Sequence, residues 1–177
     1  MNRPGYLILC ACLAALALAL LACGTLSPAT AAPAGPATLV PIRLGGDLTQ
    51  LDLCALIPRA TIEPIMHRQL TGDPVPAIYY PFAGATGCQY TANKDSGGNA
   101  YFGYVELAPA AAFDEQPQAG RIPDDSLGQS SFWITGPGAR QLWVKIDDST
   151  ALLVAFGDQP NEIGATSLAR LILAAIQ

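Results

Sequence analysis

The run Tyr6 to Ala22 carries no charge and ends directly at Cys23, and this junction constrains the chain more than any other feature. Arg3 and the free amino terminus supply a positive segment, Leu and Ala supply an apolar one, and Leu20-Leu21-Ala22-Cys23 has the form of a lipobox. Leu21 is a less typical occupant of its position. Residues 1–22 then read as a lipoprotein signal peptide, with lipid carried on Cys23. The competing reading is a retained anchor, since the run approaches the lower limit of roughly 17 to 25 residues for a spanning helix. A retained helix leaves Cys23 unexplained. In either case Arg3 stays in the cytoplasm, and the rest of the chain lies outside the membrane.

Removal of residues 1–22 takes away Arg3 alone among the charged residues, leaving eight basic against fourteen acidic side chains, a net charge of −6. Such a chain is a poor nucleic-acid binder and gains nothing electrostatically from an anionic bilayer. Membrane attachment therefore falls to the lipid, and two acyl chains such as palmitate on Cys23 meet the requirement for stable anchoring.

The remaining cysteines follow from the same cut. Cys10 and Cys12 leave with the signal, Cys23 takes lipid, and Cys54 and Cys88 are left as one pair in an oxidising compartment. A Cys54–Cys88 disulfide is expected, worth roughly 3 to 4 kcal/mol on the chain-entropy model. A metal or redox site is the weaker alternative, because there is no Cys-x-x-Cys and His67 is the single histidine. No cofactor is implied.

Residues 23–46, rich in Ala, Pro, Thr and Gly, read as a lipidated tether. Residues 47–177, about 130 in all, are the commonest size for one domain. Asp52 is placed to cap a turn through Leu53 to Ile57, and Thr61 a helix through His67 with Pro64 in its first turn. Strands are predicted at 77–80, 88–92, 100–107, 131–135, 141–146 and 151–156, with turns at 93–99, 136–138 and 147–149. A short helix is expected over 109–115, loop over 116–125, and a final helix capped by Asn161 and striped by Leu168, Leu171, Ile172 and Ala175. The fold class is α+β: an antiparallel sheet of about five or six strands packed against N- and C-terminal helices.

Three blocks carry a family resemblance: Asp52-Leu53-Cys54-Ala55-Leu56-Ile57, Gly87-Cys88-Gln89-Tyr90, and Ser126-Leu127-Gly128-Gln129-Ser130-Ser131-Phe132-Trp133 with the elements that follow. In this order, behind a lipobox, the chain resembles actinobacterial-type cell-envelope lipoproteins with a domain of unknown function. That resemblance implies an extracytoplasmic, sensor-like α+β domain with one disulfide and supplies no catalytic residues. The chain departs from the pattern at Pro58, in place of a helix-capping residue, and at Pro64, so a displaced first helix is expected.

Catalytic templates are missing from the sequence: no Gly-x-Ser-x-Gly, no phosphate loop and no His-Glu-x-x-His. His67, at a predicted helix end, suits contact with carbonyls better than catalysis, and Asp124-Asp125 and Asp147-Asp148 suit turn chemistry. Asn93 to Asn99 fails as a calcium loop because Tyr104 occupies the closing position.

The aromatic residues offer a ligand patch. Pairing Ile134 with Leu142 puts Phe132, Ile134, Leu142, Val144 and Ile146 on one sheet face and Trp133 and Trp143 with Lys145 on the other, joined by Tyr104 or Tyr101. If helices cover only the first face, the tryptophans form an interaction surface; if both faces are covered, they are core. A one-residue slip exchanges the faces. These features point first to a lipid-anchored, non-catalytic binding or sensor-like module for an envelope protein or small apolar ligand. A carrier enclosing a lipid is the alternative, and an envelope hydrolase has the least support.

Overall fold

In the computed structural model, residues 39–44, 46–93, 101–127, 130–136, 139–157 and 162–176 are described. Cys23, most of the expected tether, nearly all of the 93–99 turn, Gly128-Gln129, Pro137-Gly138 and the Asn161 cap lie outside them. The strands are β1 Val75–Pro76, β2 Thr86–Ala92, β3 Tyr101–Pro109, β4 Ile122–Pro123, β5 Ser130–Gly136, β6 Ala139–Lys145 and β7 Thr150–Gly157. They form one antiparallel sheet in the order β1-β2-β3-β7-β6-β5-β4. Two meanders, β1 to β3 and β4 to β7, are thus joined along β3 and β7. Strand β7 is buried from end to end, which explains its unbroken apolar run Ala151 to Phe156.

The sheet has seven strands rather than five or six. The added ones, β1 and β4, are two-residue edge strands, each with a proline. Proline lacks the N–H that would continue a ladder, so both edges stop short. The expected strand at 77–80 is irregular chain, and the ladder with β2 comes from Val75 and Pro76 instead.

Four helices accompany the sheet: α1 Leu53–Leu56, α2 Arg59–Met66, α3 Ala110–Asp114 and α4 Glu162–Ala175. The Asp52 carboxylate caps α1 by accepting from the Ala55 N–H at 3.0 Å. Helix α2 starts earlier than expected, with Pro58 at the cap position and no side-chain hydrogen bond there. Thr61 is therefore a buried helical residue rather than a cap, and Pro64 lies inside the helix rather than in its first turn. Helix α2 ends at His67, whose backbone is left-handed at φ 51° and whose N–H donates to the Glu63 carbonyl. The packed chain reaches further back than Asp47: Leu39 and Ile42 are buried, and the Ile42 N–H donates to the Ala175 carbonyl at 2.7 Å.

Alternation along the strands builds a core on each face. Toward α1, α2 and α4 lie Cys88, Tyr90, Tyr101, Val105, Leu107, Trp133, Leu142, Val144, Leu152, Val154 and Phe156, packed with Leu53, Ile62, Leu168 and Ile172. The Cys54–Cys88 disulfide ties α1 to β2 within this layer. The opposite face carries Ala108, Phe132, Ile134, Trp143, Ala151, Leu153 and Ala155 beneath Ala112 and Phe113 of α3, with Tyr79, Tyr80 and Phe82 packed against it.

The β5–β6 register differs by one residue from the expected one: Trp133 faces Leu142, Phe132 faces Trp143, and Ile134 faces Gln141. Gly136 pairs with Ala139, which leaves two residues between the strands where pairing Ile134 with Leu142 leaves five, 136–140. The slip sends Trp133 to the helix-side core and Trp143 to the opposite one.

Candidate functional site

The segment 77–85 crosses the face away from α1, α2 and α4 without regular secondary structure. It can lie close because Gly87 presents no side chain: a Cβ there would stand 2.1 Å from the Ala77 carbonyl oxygen. The Ala77 N–H donates to the Gly87 carbonyl at 3.1 Å, and Gly87 pairs with Glu106 on β3. Glu106 shares its face with Phe102 and Tyr104, and it is 1% exposed.

Glu106 is the point of attachment for this segment. Its Oε2 accepts from the backbone N–H groups of Tyr79 at 2.8 Å and Tyr80 at 3.0 Å. Its Oε1 is buried and has no hydrogen-bond partner among the described residues. Burial raises the carboxyl to about 7, against a smaller opposing effect of the two N–H donors, so near neutrality the group is poised between its acid and its ion. Gln141, 0% exposed, lies beyond β7: its Oε1 accepts from the Tyr80 hydroxyl at 3.1 Å and the Trp143 Nε1–H at 3.2 Å. An indole N–H only donates, which fixes the orientation of the amide and leaves Nε2 without a hydrogen-bond partner among the described residues.

Aromatic rings surround these polar groups. Tyr79 packs on Tyr104 with centroids 4.8 Å apart and on Tyr80 at 5.2 Å, and Tyr80 meets Trp143 edge-on at 5.3 Å. Phe82 and Phe102 extend the cluster. Tyr79, Tyr80, Phe82, Phe102 and Tyr104 are only partly buried, whereas Trp143 forms the floor and is wholly enclosed. Beside the cluster runs a groove of about 440 Å³ bounded by Pro76, Ala77, Ile78, Ala85, Thr86 and Gly87, with Ile78 49% exposed.

The expected patch of Trp133, Trp143, Tyr104 and Tyr101 is not brought together. Trp133, 6% exposed, donates its indole N–H to Asp124 Oδ2 at 2.8 Å in the helix-side layer. Tyr101 is buried on that same side, with the Arg68 guanidinium 4.6 Å from its ring centre. Trp143 and Tyr104 alone share the opposite face. The residues missed were Tyr79, Tyr80, Glu106 and Gln141. Glu106 had a legible signal, being the only acidic residue within any predicted strand.

The remaining titratable candidates serve the backbone. Asp147 Oδ1 accepts from the Ser149 N–H and hydroxyl and from the Thr150 N–H, and these bonds lower its carboxyl. At Asp124 burial works against the charge, but bonds from Ser126 and Trp133 outweigh it and the carboxyl is again lowered. His67 is exposed at the end of α2, on the other side of the sheet from Glu106. Among the described residues, no three His, Cys, Asp or Glu side chains cluster to hold a metal. Comparison with known proteins found no matching family model, no matching curated protein and no matching solved structure.

Proposed function

We propose that this protein is a non-catalytic binding module, carried on the outer face of a membrane by lipid on Cys23, that takes a small ligand into the aromatic cluster over Glu106 and Gln141. One observation carries the reading: a buried carboxyl with an unpartnered oxygen lies under half-buried tyrosines. Buried polar atoms are ordinarily hydrogen-bonded, and an unpartnered one within a cluster of rings is the arrangement a ligand completes. The lipobox and the lipoprotein resemblance support the location, and the disulfide fits an oxidising compartment.

Native mass spectrometry of the full-length protein, extracted gently from its own membranes, tests both halves. A lipid-sized covalent increment at Cys23 and a separate non-covalent mass are expected, the latter lost in a Tyr79→Ala, Tyr80→Ala double variant. A cleaved, unmodified chain would remove the anchor. A non-covalent mass retained by the double variant would remove the site.

A further inference from the structure

We propose that the site takes an alkylammonium group, with Glu106 as its counter-ion and the rings of Tyr79, Tyr80 and Tyr104 as its walls. The inference rests on the binding reading above and adds the chemistry of the ligand. Its first support is the uneven use of the carboxyl: Oε2 already receives two N–H donors, while Oε1 receives none. In its ionised form the carboxylate only accepts, so a ligand that pairs with that form brings a donor to Oε1.

The second support is charge. The titratable groups facing Glu106 are the phenols of Tyr79 and Tyr80 from the crossing segment and of Tyr104 from its own strand; β2 opposes it with Gly87 and β7 with Leu153. Among the described residues, the cations elsewhere on this face are engaged. Lys145 pairs with Asp114 of α3 at 3.1 Å, and Arg121 stacks 4.0 Å from the Phe132 ring centre while donating to backbone carbonyls. Among the described residues none supplies a positive partner to Glu106, so in the proposed complex the ligand supplies it.

The third support is the wall. Aromatic faces attract an alkylated cation electrostatically and also accept its carbon atoms. Tyr79 and Tyr104 pack together on the face that holds Glu106, and the segment that bears Tyr79 belongs to no strand or helix. A neutral hydroxylated ligand would also use rings and a carboxyl, but it would favour the protonated acid. Ammonium favours the carboxylate, and with the unliganded carboxyl near 7 its binding releases a proton.

The test is a titration of full-length protein in polyoxyethylene-detergent micelles with n-butylammonium chloride, read from the Trp143 indole N–H resonance. We expect a saturable shift with a Kd on the order of 1 mM, as suits so small a probe, and none with 1-butanol or KCl. Affinity should rise about tenfold per pH unit from about 5 toward 7 and then level. Glu106→Gln should abolish that dependence while leaving the spectrum folded, and Tyr79→Leu should weaken binding by about three- to tenfold. Phosphatidylethanolamine doped into the micelles, compared with free ethanolamine, separates a lipid headgroup from a soluble amine. Equal response to 1-butanol, or affinity that falls as pH rises, would overturn the ammonium assignment. So would silence toward butylammonium in a preparation stripped of its native non-covalent mass that still rebinds that mass when it is returned, and that result would leave the binding reading intact.

Discussion

Glu106 gives the domain a pH dependence opposite in sign to that of ordinary surface carboxylates. Its folded value of about 7 stands above the usual 4.5, so the folded state holds a proton that the unfolded state releases between those limits. Stability from this group is complete below about 4.5 and is lost as pH rises through about 7. The loss amounts to about 3 kcal/mol at pH 8, at roughly 1.4 kcal/mol per pH unit of displacement. Urea denaturation of wild type and Glu106→Gln across pH 4 to 8 should show the variant gaining on wild type by that amount; parallel curves would show that Glu106 does not titrate in this window. Asp124 and Asp147, with lowered carboxyls, act in the other direction and only in more acid solution, so the two effects separate. His67 is a second residue with a local cost, since it alone among the described non-glycine residues has a positive φ. Glycine fits the left-handed end of a helix without strain, so His67→Gly should raise stability by about 0.5 to 1 kcal/mol, read from the denaturation midpoint.

At the scale of elements, the critical junction is where the segment 77–85 settles on β2. A methyl group at Gly87 would meet the Ala77 carbonyl oxygen, which is backbone and cannot swing aside. Gly87→Ala should cost about 1 to 3 kcal/mol, the range for overpacking, and should free Tyr79 and Tyr80 from Glu106, visible as faster hydrogen exchange of their two amides. The disulfide holds the other side of β2 to α1, and Cys54→Ser should cost about 3 to 4 kcal/mol in a thermal melt under non-reducing conditions. These junctions show where sequence reasoning reaches and where it stops. Every strand expected from Cys88 onward is present, because each is an apolar or alternating run bounded by turn residues. Asp52 acts as the expected cap because capping is local. The site was less legible for two reasons. Its aromatic partners depend on the β5–β6 register, which alternation alone does not fix, since a one-residue slip keeps the period and exchanges the faces. Tyr79 and Tyr80 resemble a strand in isolation, and their role depends on Glu106, 26 to 27 residues away in sequence.

At the scale of the whole molecule, the two faces of the sheet have different tasks. The helix-side core is apolar, carries the disulfide and buries Trp133, so it accounts for most of the stability. The opposite core is thinner, roofed by the short α3 and an irregular segment, and it holds Glu106 and Gln141. The proposed binding on that face would leave the stabilising layer intact, a separation that suits a ligand site on a rigid scaffold. Leu39 and Ile42, N-terminal to Asp47, belong to the stable layer. Ile42 is buried against α4 and bridges in parallel to Ile176, so the start of the packed chain is held at the helix-side core rather than at the aromatic cluster. Ile42→Ala should therefore lower stability by about 2 to 4 kcal/mol, as expected for a buried isoleucine that leaves a cavity. Its effect on n-butylammonium affinity should stay within about twofold when measured under folding conditions, because the cavity opens on the far side of the sheet. A substitution that weakened binding and stability together would show that the two layers are coupled through β7, the strand that both share.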